Sequence, residues 1–340
     1  MAAQQFWSDA WYQGRWWLHL LRPLAWLFSR LAAARRRRLQ MAAATVSVPV
    51  VVVGNISLGG TGKTPLLITL IAAMRERGFR PGVVSRGYGG TPPAYPYSVT
   101  AESDPAYSGD EPLLIAVATG CPVVISPRRD EAISTLLQQH NCDLIFSDDG
   151  LQHYRMPRDI ELCVVDGQRG LGNGFCLPAG PLREPPPRLA EVDWVIINGH
   201  LQHPLAMVDD QRCVAMTVVA DTWSNVKTGQ QVGLAEQVFE KPLLAVSGIG
   251  NPQRFFDSLT GLGLQFKTRV FADHHAYQVQ DFSDADDMTI LMTSKDAVKC
   301  RTFARADWWS LAVVAHLPDD FFDKLAAQVA QVALQKETQR

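Results

Sequence analysis

Three shortages in this sequence each exclude a class of protein. Six cysteines among 340 residues, none of them in a CxxC pair, are too few for a disulfide scaffold, so reduced and mostly buried thiols are expected. A net charge of −2 argues against a general nucleic-acid-binding protein, and no nucleic-acid partner is expected. No apolar run is sufficiently free of charge to predict a spanning helix, which needs ~20 predominantly apolar residues.

The composition that remains is that of a folded globular protein. Hydrophobic residues make up 47% of the chain and charged residues 19%, which excludes wholesale disorder, collagen and coiled coil. The length allows about two domains. The charge is distributed unevenly, because residues 1–45 carry seven arginines and a single acidic residue, Asp9, while the rest of the chain is acidic. The same segment holds five of the nine tryptophans.

This basic N-terminal segment has the pattern of a helix that lies on a membrane surface. At about 100° per residue, the polar side chains that interrupt residues 16–34 fall on one stripe, while leucine and tryptophan cover the rest. Tryptophan favours the headgroup level, and the arginine run at residues 35–38 would attract anionic lipid. A secretory signal would have its basic residues before the apolar stretch. A helix packed on the protein's own core is the alternative.

Beyond residue 45, short β-branched runs alternate with helical stretches. This rhythm predicts an α/β fold with a mostly parallel sheet covered by helices on both faces. Residues 89–104 and 167–188 are predicted as loops, of the kind that often form lids or binding sites. Strands are predicted over residues 46–53, 82–85, 122–126, 143–147, 161–166 and 193–198, and helices over residues 65–77 and 128–140.

The C-terminal part predicts a second, smaller α/β domain. Residues 221–233 are polar and typical of a turn. A strand beginning at residue 243 leads into a helix through residues 255–259, and the chain closes with strands at 289–293 and 311–315 and a helix at 319–334. The predicted organisation is therefore an N-terminal membrane-associating segment at 1–45, a first α/β domain at 46–215 and a second at 216–340.

A glycine-rich turn between a predicted strand and helix has the residues of a phosphate-binding loop. Its glycines let backbone N–H groups surround a β-phosphate, Lys63 would reach the β- and γ-phosphates, and the Thr64 hydroxyl would bind Mg²⁺. The formal pattern begins with a glycine where this chain has Ser57, but the flanking strand and helix fit. The predicted nucleotide-binding residues are Ser57, Leu58, Gly59, Gly60, Thr61, Gly62, Lys63 and Thr64.

A second motif supplies acids at the end of another predicted strand. An apolar run ends in Asp148 and Asp149, which is the Walker B arrangement and places a carboxylate where it can hold Mg²⁺. We predict Thr64 and Asp148 as the metal ligands. Gln152 and His153 follow at the carboxyl edge of the sheet, where ligands of such folds bind.

Six motifs in a fixed order give a more specific indication. They are GNISLGGTGKTP at residues 54–65, SRGYGG at 85–90, GDEP at 109–112, DDGLQH at 148–153, LPAGPLRE at 177–184 and TSKD at 293–296. Together they resemble the tetraacyldisaccharide 4′-kinase family of lipid A assembly in Gram-negative bacteria. The resemblance covers nearly the whole chain.

The resemblance implies a reaction, a substrate and a location. It implies a P-loop kinase domain that transfers the γ-phosphoryl group of ATP, with Mg²⁺, to the 4′-hydroxyl of an acylated glucosamine disaccharide 1-phosphate, giving lipid IVA. It also implies a peripheral enzyme at the cytoplasmic face of the inner membrane, and no obligate protein partner is evident. A substrate with four acyl chains stays in the bilayer, so the amphipathic head agrees with this expectation.

A sugar hydroxyl must lose its proton as it attacks, and several side chains could accept it. The resemblance favours Asp110 acting with a histidine after Asp273, and we choose His274 over His275. The other candidates for the proton acceptor are Asp149, His153 and Asp273.

Basic and amide side chains complete the predicted site. Arg183 is expected to act like an arginine finger, because it lies in the flexible loop at 167–188. Arg86 is a candidate clamp on phosphate charge, and Gln152 and His153 are assigned to the disaccharide. Lys295 and Asp296 fit either a reader of the nucleotide base or structural support. If His274 is catalytic, the C-terminal domain must close on the first.

Two other functions fit parts of the pattern. A membrane-positioned switch ATPase without a small acceptor would have a similar P-loop, but a second lysine near the loop start would favour it, and Ser57 and Leu58 stand there. A pure lipid-binding module would not need the Lys63–Thr64 pair.

Overall fold

Runs of valine, isoleucine and leucine form the central strands of a large, mainly parallel sheet. The computed structural model describes residues 2–41, 45–202, 205 and 208–338, with side chains described from Phe6 onward. The strands are β1 Val50–Gly54, β2 Pro81–Ser85, β3 Tyr97–Val99, β4 Val123–Ile125, β5 Leu144–Asp148, β6 Ile160–Asp166, β7 Trp194–Asn198, β8 Cys213–Asn225, β9 Gln231–Gly233, β10 Leu243–Ser247, β11 Phe266–Val270, β12 Thr289–Thr293 and β13 Trp308–His316.

Helices cover this sheet and precede it. They are α1 Ala2–Tyr12, α2 Arg22–Gln40, α3 Lys63–Glu76, α4 Pro105–Ser108, α5 Asp110–Thr119, α6 Arg129–Gln139, α7 Pro252–Gly261, α8 Ser294–Cys300 and α9 Asp319–Thr338, with 3-10 turns at Trp16–Leu21, Pro186–Ala190, Asp210–Arg212 and Val279–Phe282. Every residue of β1, β5 and β6 is buried, because helices pack on both faces of these strands. The predicted α/β fold is confirmed.

The strand order places the phosphate-binding loop near the middle of the sheet. The order is β11-β10-β12-β13-β8-β7-β6-β1-β5-β2-β4-β3, and β9 pairs with β8. Strand β1 runs parallel to both β5 and β6, so the loop that follows it lies beside the acids that end β5. The carboxyl ends of these parallel strands form one edge, where ligands of such folds bind.

Strand β8 connects the two halves of the sheet. Its first residues pair in parallel with β7, and the residues from Thr217 onward pair antiparallel with β13. The boundary predicted between residues 215 and 216 lies within this strand, and the division into domains stays a prediction. Below, residues 217–338 are called the C-terminal lobe.

The prediction of a turn over residues 221–233 was right only for residues 226–228, which join two strands. Strand β8 continues to Asn225, and β9 returns along it in antiparallel pairing. Trp223 is 1% exposed and lies in a cluster with Leu243 and Phe256. The polar residues that alternate with it face the other side of the pair, so the segment has the pattern of a half-covered antiparallel strand. The loop predicted at 89–104 likewise contains the short edge strand β3.

The N-terminal segment forms two helices joined by a turn, rather than one helix over residues 16–34. Residues Trp16–Leu21 are a 3-10 turn, and α2 begins at Arg22 because Pro23 suits a first helical turn. Among the described residues, no helix is long and apolar enough to cross a membrane. Large apolar side chains nevertheless point outward here: Phe6, Trp16, Leu20, Leu24, Trp26, Leu27 and Leu31.

Candidate active site

The phosphate-binding loop leads directly from β1 into α3. Gly62 precedes the helix with a φ of 93°, and a Cβ at this position would lie 2.5 Å from the Asn198 side-chain nitrogen. Only glycine fits this left-handed, crowded position. The Lys63 ammonium lies 3.3 Å from Asn55 Oδ1 and 3.5 Å from Asp149 Oδ1, so it is held at the centre of the loop.

A second segment runs alongside the start of this loop. Ser57 forms an isolated antiparallel bridge with Leu182, and the Leu58 N–H donates to the Pro181 carbonyl at 2.9 Å. The Arg183 N–H donates to the Ile56 carbonyl at 2.7 Å. Part of the predicted 167–188 loop is therefore fixed against the P-loop. This pairing places the Arg183 side chain beside the P-loop and Asp149.

The pKa values of the two acids at the end of β5, Asp148 and Asp149, are shifted in opposite directions. Burial, with the neighbouring charges of Glu111 and Asp149, raises the pKa of Asp148 to about 7. Burial alone would also raise the pKa of Asp149, but Lys63 and Arg183 outweigh it and bring that pKa down to about 2. Asp149 is thus a fixed negative charge, while a positive charge near Asp148 would lower its pKa and favour the ionised form.

The Asp148 carboxylate fits a divalent cation. Ser85 Oγ donates to its Oδ2 at 3.1 Å, but the buried Oδ1 has no hydrogen-bond partner. Within the described part of the chain, no three histidine, cysteine or acidic side chains form a metal-binding group. A magnesium ion needs fewer protein ligands, since it keeps waters and binds substrate phosphates. Thr64 lies in the first turn of α3, which follows the P-loop at the same edge.

Arg183 and Gln152 join the loop to the acids. The Arg183 Nη1 lies 3.0 Å from Asp149 Oδ2 and donates to Gln152 Oε1 at 2.9 Å. The Gln152 Nε2 donates to the Asn55 carbonyl and to Glu184 Oε1. The Gln152 amide is therefore engaged within the protein, and its predicted contact with the disaccharide stays a prediction.

His153 and Arg86 follow β5 and β2 and lie at the same edge of the sheet. Burial, together with the charges of Arg129 and Arg86, lowers the pKa of His153 to about 3, so this imidazole is neutral. Arg86 follows β2, is exposed, and has no ion pair among the residues that the structure describes. An exposed guanidinium beside the P-loop strands is available to an anionic ligand.

Asp110 and His274 meet across the molecule. Asp110 begins α5 and is 5% exposed, and its Oδ2 lies 2.9 Å from His274 Nδ1. The Tyr88 ring packs on the imidazole with centroids 5.1 Å apart. His275 instead bonds Asp281 Oδ2 at 2.9 Å. The structure thus brings together Asp110 and His274, the two residues paired from the sequence.

Positive charge surrounds this pair. The ammonium groups of Lys295 and Lys299 each lie 3.8 Å from Asp110 Oδ2. Burial would raise the pKa of Asp110, but the hydrogen bond with His274 and the two lysines keep it below its ordinary value. The hydrogen bond to Asp110 raises the pKa of His274. A buried carboxylate beside an imidazole is typical of acid–base sites.

Comparison with known proteins identifies the family. A family model described as "LpxK: Tetraacyldisaccharide-1-P 4′-kinase" matches residues 17–330. The chain belongs to the tetraacyldisaccharide 4′-kinase family. It is 48% identical over 335 residues to the tetraacyldisaccharide 4′-kinase of Ectopseudomonas mendocina, covering 98% of this chain and 99% of that protein. It is 49% identical over 321 residues to that of Alcanivorax borkumensis, covering 94% and 95%.

A solved structure agrees in fold. LpxK from Aquifex aeolicus, described as in complex with ATP, superposes with a TM-score of 0.77 at 24% identity, covering 93% of this kinase and 99% of that chain. The resemblance derived from the six motifs is confirmed, and with it the kinase rather than the switch ATPase.

Several residues of the kinase site were not predicted. Asn55 and Glu111 lie inside motifs already recognised, so their polar character beside Lys63 and Asp110 was an available signal. Arg129 is 3% exposed and donates to the Asp148 carbonyl at 2.9 Å, and nothing in its local sequence indicates this. Asp296, which the sequence offered as a base reader or as structural support, accepts from the Gly248 N–H and pairs with Lys299, contacts that support the loop before α7.

Proposed function

We propose that this kinase transfers the γ-phosphoryl group of ATP to the 4′-hydroxyl of tetraacyldisaccharide 1-phosphate, giving lipid IVA. The observation that carries the proposal is the 2.9 Å contact between Asp110 and His274, at the same sheet edge as the phosphate-binding loop. A switch ATPase would need the loop alone. A carboxylate–imidazole pair supplies what a hydroxyl acceptor requires, namely a group that takes its proton.

The nucleotide end of the reaction uses the P-loop. The loop's N–H groups and the start of α3 would hold the β-phosphate, and Lys63 would bridge the β- and γ-phosphates. Arg183 would neutralise charge that develops on the transferring group. The ATP named for the Aquifex relative supports this choice of nucleotide. Mg²⁺ held by Thr64 and Asp148 would supply further positive charge to the phosphates.

The acceptor end uses the Asp110–His274 pair. As the sugar oxygen bonds to the γ-phosphorus, the bond to the ADP oxygen breaks and the hydroxyl proton passes to the pair. Lys295 and Lys299 favour ionised Asp110, which keeps the pair able to accept a proton. Arg86, Gln152 and His153 are proposed to contact the disaccharide.

The C-terminal lobe is proposed to complete the site by closing on the first domain. His274 belongs to this lobe, whereas Asp110 begins α5 of the first domain. Opening and closing of the contact would admit the substrates and then exclude water, which limits wasteful ATP hydrolysis. The proposed division is the one predicted from the sequence, at 1–45, 46–215 and 216–340.

The N-terminal segment is proposed to hold the kinase on the cytoplasmic face of the inner membrane. Trp16, Leu20 and Leu24 are 75%, 73% and 55% exposed, an unusual exposure for large apolar side chains. The arginine run at residues 35–38 follows in α2 and would pair with anionic headgroups. At this surface the kinase would bind an acceptor whose four acyl chains remain in the bilayer.

The test is ATP turnover in mixed micelles, measured with and without tetraacyldisaccharide 1-phosphate. We expect ADP formation that requires the glycolipid and is lost in Lys63→Ala. Lys241→Ala is the matched control, since that lysine pairs with Asp307 at the surface. ATP hydrolysis that proceeds equally without the glycolipid, and yields no phosphorylated lipid, would overturn the proposal.

A further inference from the structure

The loop after β6 places an ion pair against the phosphate-binding loop, and the proposed reaction does not use it. Asp166 ends β6 and is 2% exposed. Its Oδ1 accepts the backbone N–H groups of Gln168 and Arg169, each at 3.0 Å. Because β6 lies beside β1, this fixed carboxylate sits next to the P-loop.

Arg169 extends from this carboxylate to the P-loop backbone. Its Nε donates to Asp166 Oδ2 at 3.0 Å, and its Nη2 donates to the Gly60 carbonyl. Gly59 has a φ of 96°, and a Cβ there would lie 2.9 Å from Arg169 Nη1. The guanidinium therefore packs closely on Gly59 and binds the carbonyl of Gly60, so a side chain at position 59 would displace it from this position.

The hydrogen bond from Arg169 to the Gly60 carbonyl sets the direction of a backbone N–H group in the P-loop. In a trans peptide the C=O and the following N–H point in opposite directions. A guanidinium that holds the Gly60 carbonyl on one side therefore turns the Thr61 N–H to the other side. Asn198 acts in the same way one residue later, since its side-chain amide donates to the Thr61 carbonyl at 2.9 Å. Two consecutive peptides are thus oriented from outside the loop.

Two distant parts of the chain reach the same ion pair. Arg254, on α7 of the C-terminal lobe, lies 3.0 Å from Asp166 Oδ2. Tyr12, at the end of α1, packs its ring 5.7 Å from the Arg169 guanidinium carbon. The ion pair that supports the P-loop therefore also contacts the C-terminal lobe and the N-terminal segment.

We propose that Arg169, held by Asp166, is a positioning residue for the nucleotide, and that Arg254 ties the C-terminal lobe to the P-loop through the same carboxylate. Arg169 orients the Gly60–Thr61 peptide so that its N–H faces the phosphates. Arg254 acts through Asp166, so its effect passes to the loop by way of Arg169. The proposal rests on the proposed function for the identity of the nucleotide, ATP.

The experiment measures ATP affinity by equilibrium dialysis of the full chain, together with KM for ATP and kcat at saturating nucleotide. For Arg169→Ala we expect ATP affinity to fall about tenfold, the size expected for one charge-assisted hydrogen bond, with a smaller change in kcat. Arg169→Lys should recover part of the affinity, because an ammonium can still reach either partner. Arg254→Ala should weaken ATP binding less, and adding it to Arg169→Ala should cause no further loss.

Arg77→Ala is the matched control, because Arg77 also joins a carboxylate, Asp323, to a backbone carbonyl, that of Ala73. It should leave ATP affinity unchanged. A merely structural role for Arg169 would lower the Tm with no change in ATP affinity, and that result would overturn the proposal. Fully additive effects of Arg169→Ala and Arg254→Ala would overturn the role of Arg254. Dialysis needs no acceptor, so a failure of lipid phosphorylation would contradict the proposed function and leave this test intact.

Discussion

His274 Nδ1 lies 2.9 Å from Asp110 Oδ2, although 164 positions separate the two residues in the chain. The contact joins the C-terminal lobe to the first turn of α5. Its strength depends on both charges, because a hydrogen bond between an ionised carboxylate and an imidazole is stronger than one between neutral groups. The same contact sets the protonation of both side chains, and this can be measured.

The pH dependence of kcat should report the raised pKa of His274. An imidazole that is already protonated cannot accept the proton of the substrate, so activity is lost as the pH falls through that pKa. Because pairing with Asp110 raises it, we expect the acid limb in the wild type above the ordinary value of about 6.5. In Asp110→Asn the pKa of His274, followed by NMR, should fall, and kcat should fall by about a hundredfold or more.

His275→Asn is the control for this profile, because His275 bonds Asp281 rather than Asp110. Its acid limb should coincide with that of the wild type. An acid limb that stays in place when the NMR pKa of His274 moves would show that another group accepts the proton.

Asp148→Asn should stabilise the nucleotide-free protein while abolishing catalysis. The folded pKa of about 7 exceeds the value of about 3.9 for an unfolded aspartate. The folded state therefore binds more protons between these values, and this residue's contribution to stability declines as the pH rises through that window. We expect the variant to unfold a few degrees higher than the wild type at pH 8, with the difference narrowing toward pH 5.

Thermal unfolding of the two proteins across pH checks this expectation. Asp221→Asn is the control, since Asp221 is exposed on β8, and its Tm should follow that of the wild type. A lower Tm for Asp148→Asn at pH 8 would mean that the carboxylate contributes to structure rather than to ion binding.

Arg183 should matter for the transition state more than for binding of the ground state. Both Arg183→Ala and Arg183→Lys should lower kcat, the alanine variant by about a thousandfold, since a lysine cannot reproduce the planar contact with Asp149 and Gln152. Steady-state kinetics with saturating glycolipid would separate kcat from KM for ATP. Arg155→Ala removes an exposed arginine and should change neither constant. If Arg183→Ala raised KM for ATP without lowering kcat, Arg183 would act in nucleotide binding alone.

Membrane attachment should depend on the exposed apolar face of the N-terminal segment. Replacing Trp16, Leu20 and Leu24 by serine should reduce binding to vesicles containing phosphatidylglycerol at least tenfold, because each side chain loses burial worth about 1.5–3 kcal/mol. ATP affinity should be retained. Co-sedimentation measures the binding, with Val238→Ser, which alters another exposed apolar residue, as the control. Unchanged sedimentation of the triple variant would assign these residues a different partner.

The features that could be predicted from the sequence are those determined by residues close together in the chain. The P-loop was recognisable because Gly62, Lys63 and Thr64 stand together where a strand leads into a helix. Strand β8 was missed, because the polar composition of its second half hides a burial pattern that exists only when β13 pairs with it. Helical periodicity continues across the 3-10 turn at Trp16–Leu21, so periodicity alone could not separate this turn from α2.

Contacts between residues far apart in the chain could not be predicted from local sequence patterns. Arg129 reaches the Asp148 carbonyl, and Arg254 reaches Asp166 from another lobe, and neither arginine differs in its local sequence from a surface arginine. The pairing of Asp110 with His274 could be proposed only through the family resemblance, because no periodicity connects two residues so far apart. The structure adds the distances, the burial and the two lysines that set their charges.

The most direct measurement follows the γ-phosphate itself. Wild-type protein, Asp110→Asn and His274→Asn are incubated in mixed micelles with tetraacyldisaccharide 1-phosphate and ATP labelled at the γ position, and the lipid product is identified by mass. We predict that the wild type places the label on the 4′-oxygen. In both variants the rate of labelling should fall by about a hundredfold or more, while ATP affinity stays unchanged. Undiminished labelling in both variants would contradict the assignment of proton transfer to this pair.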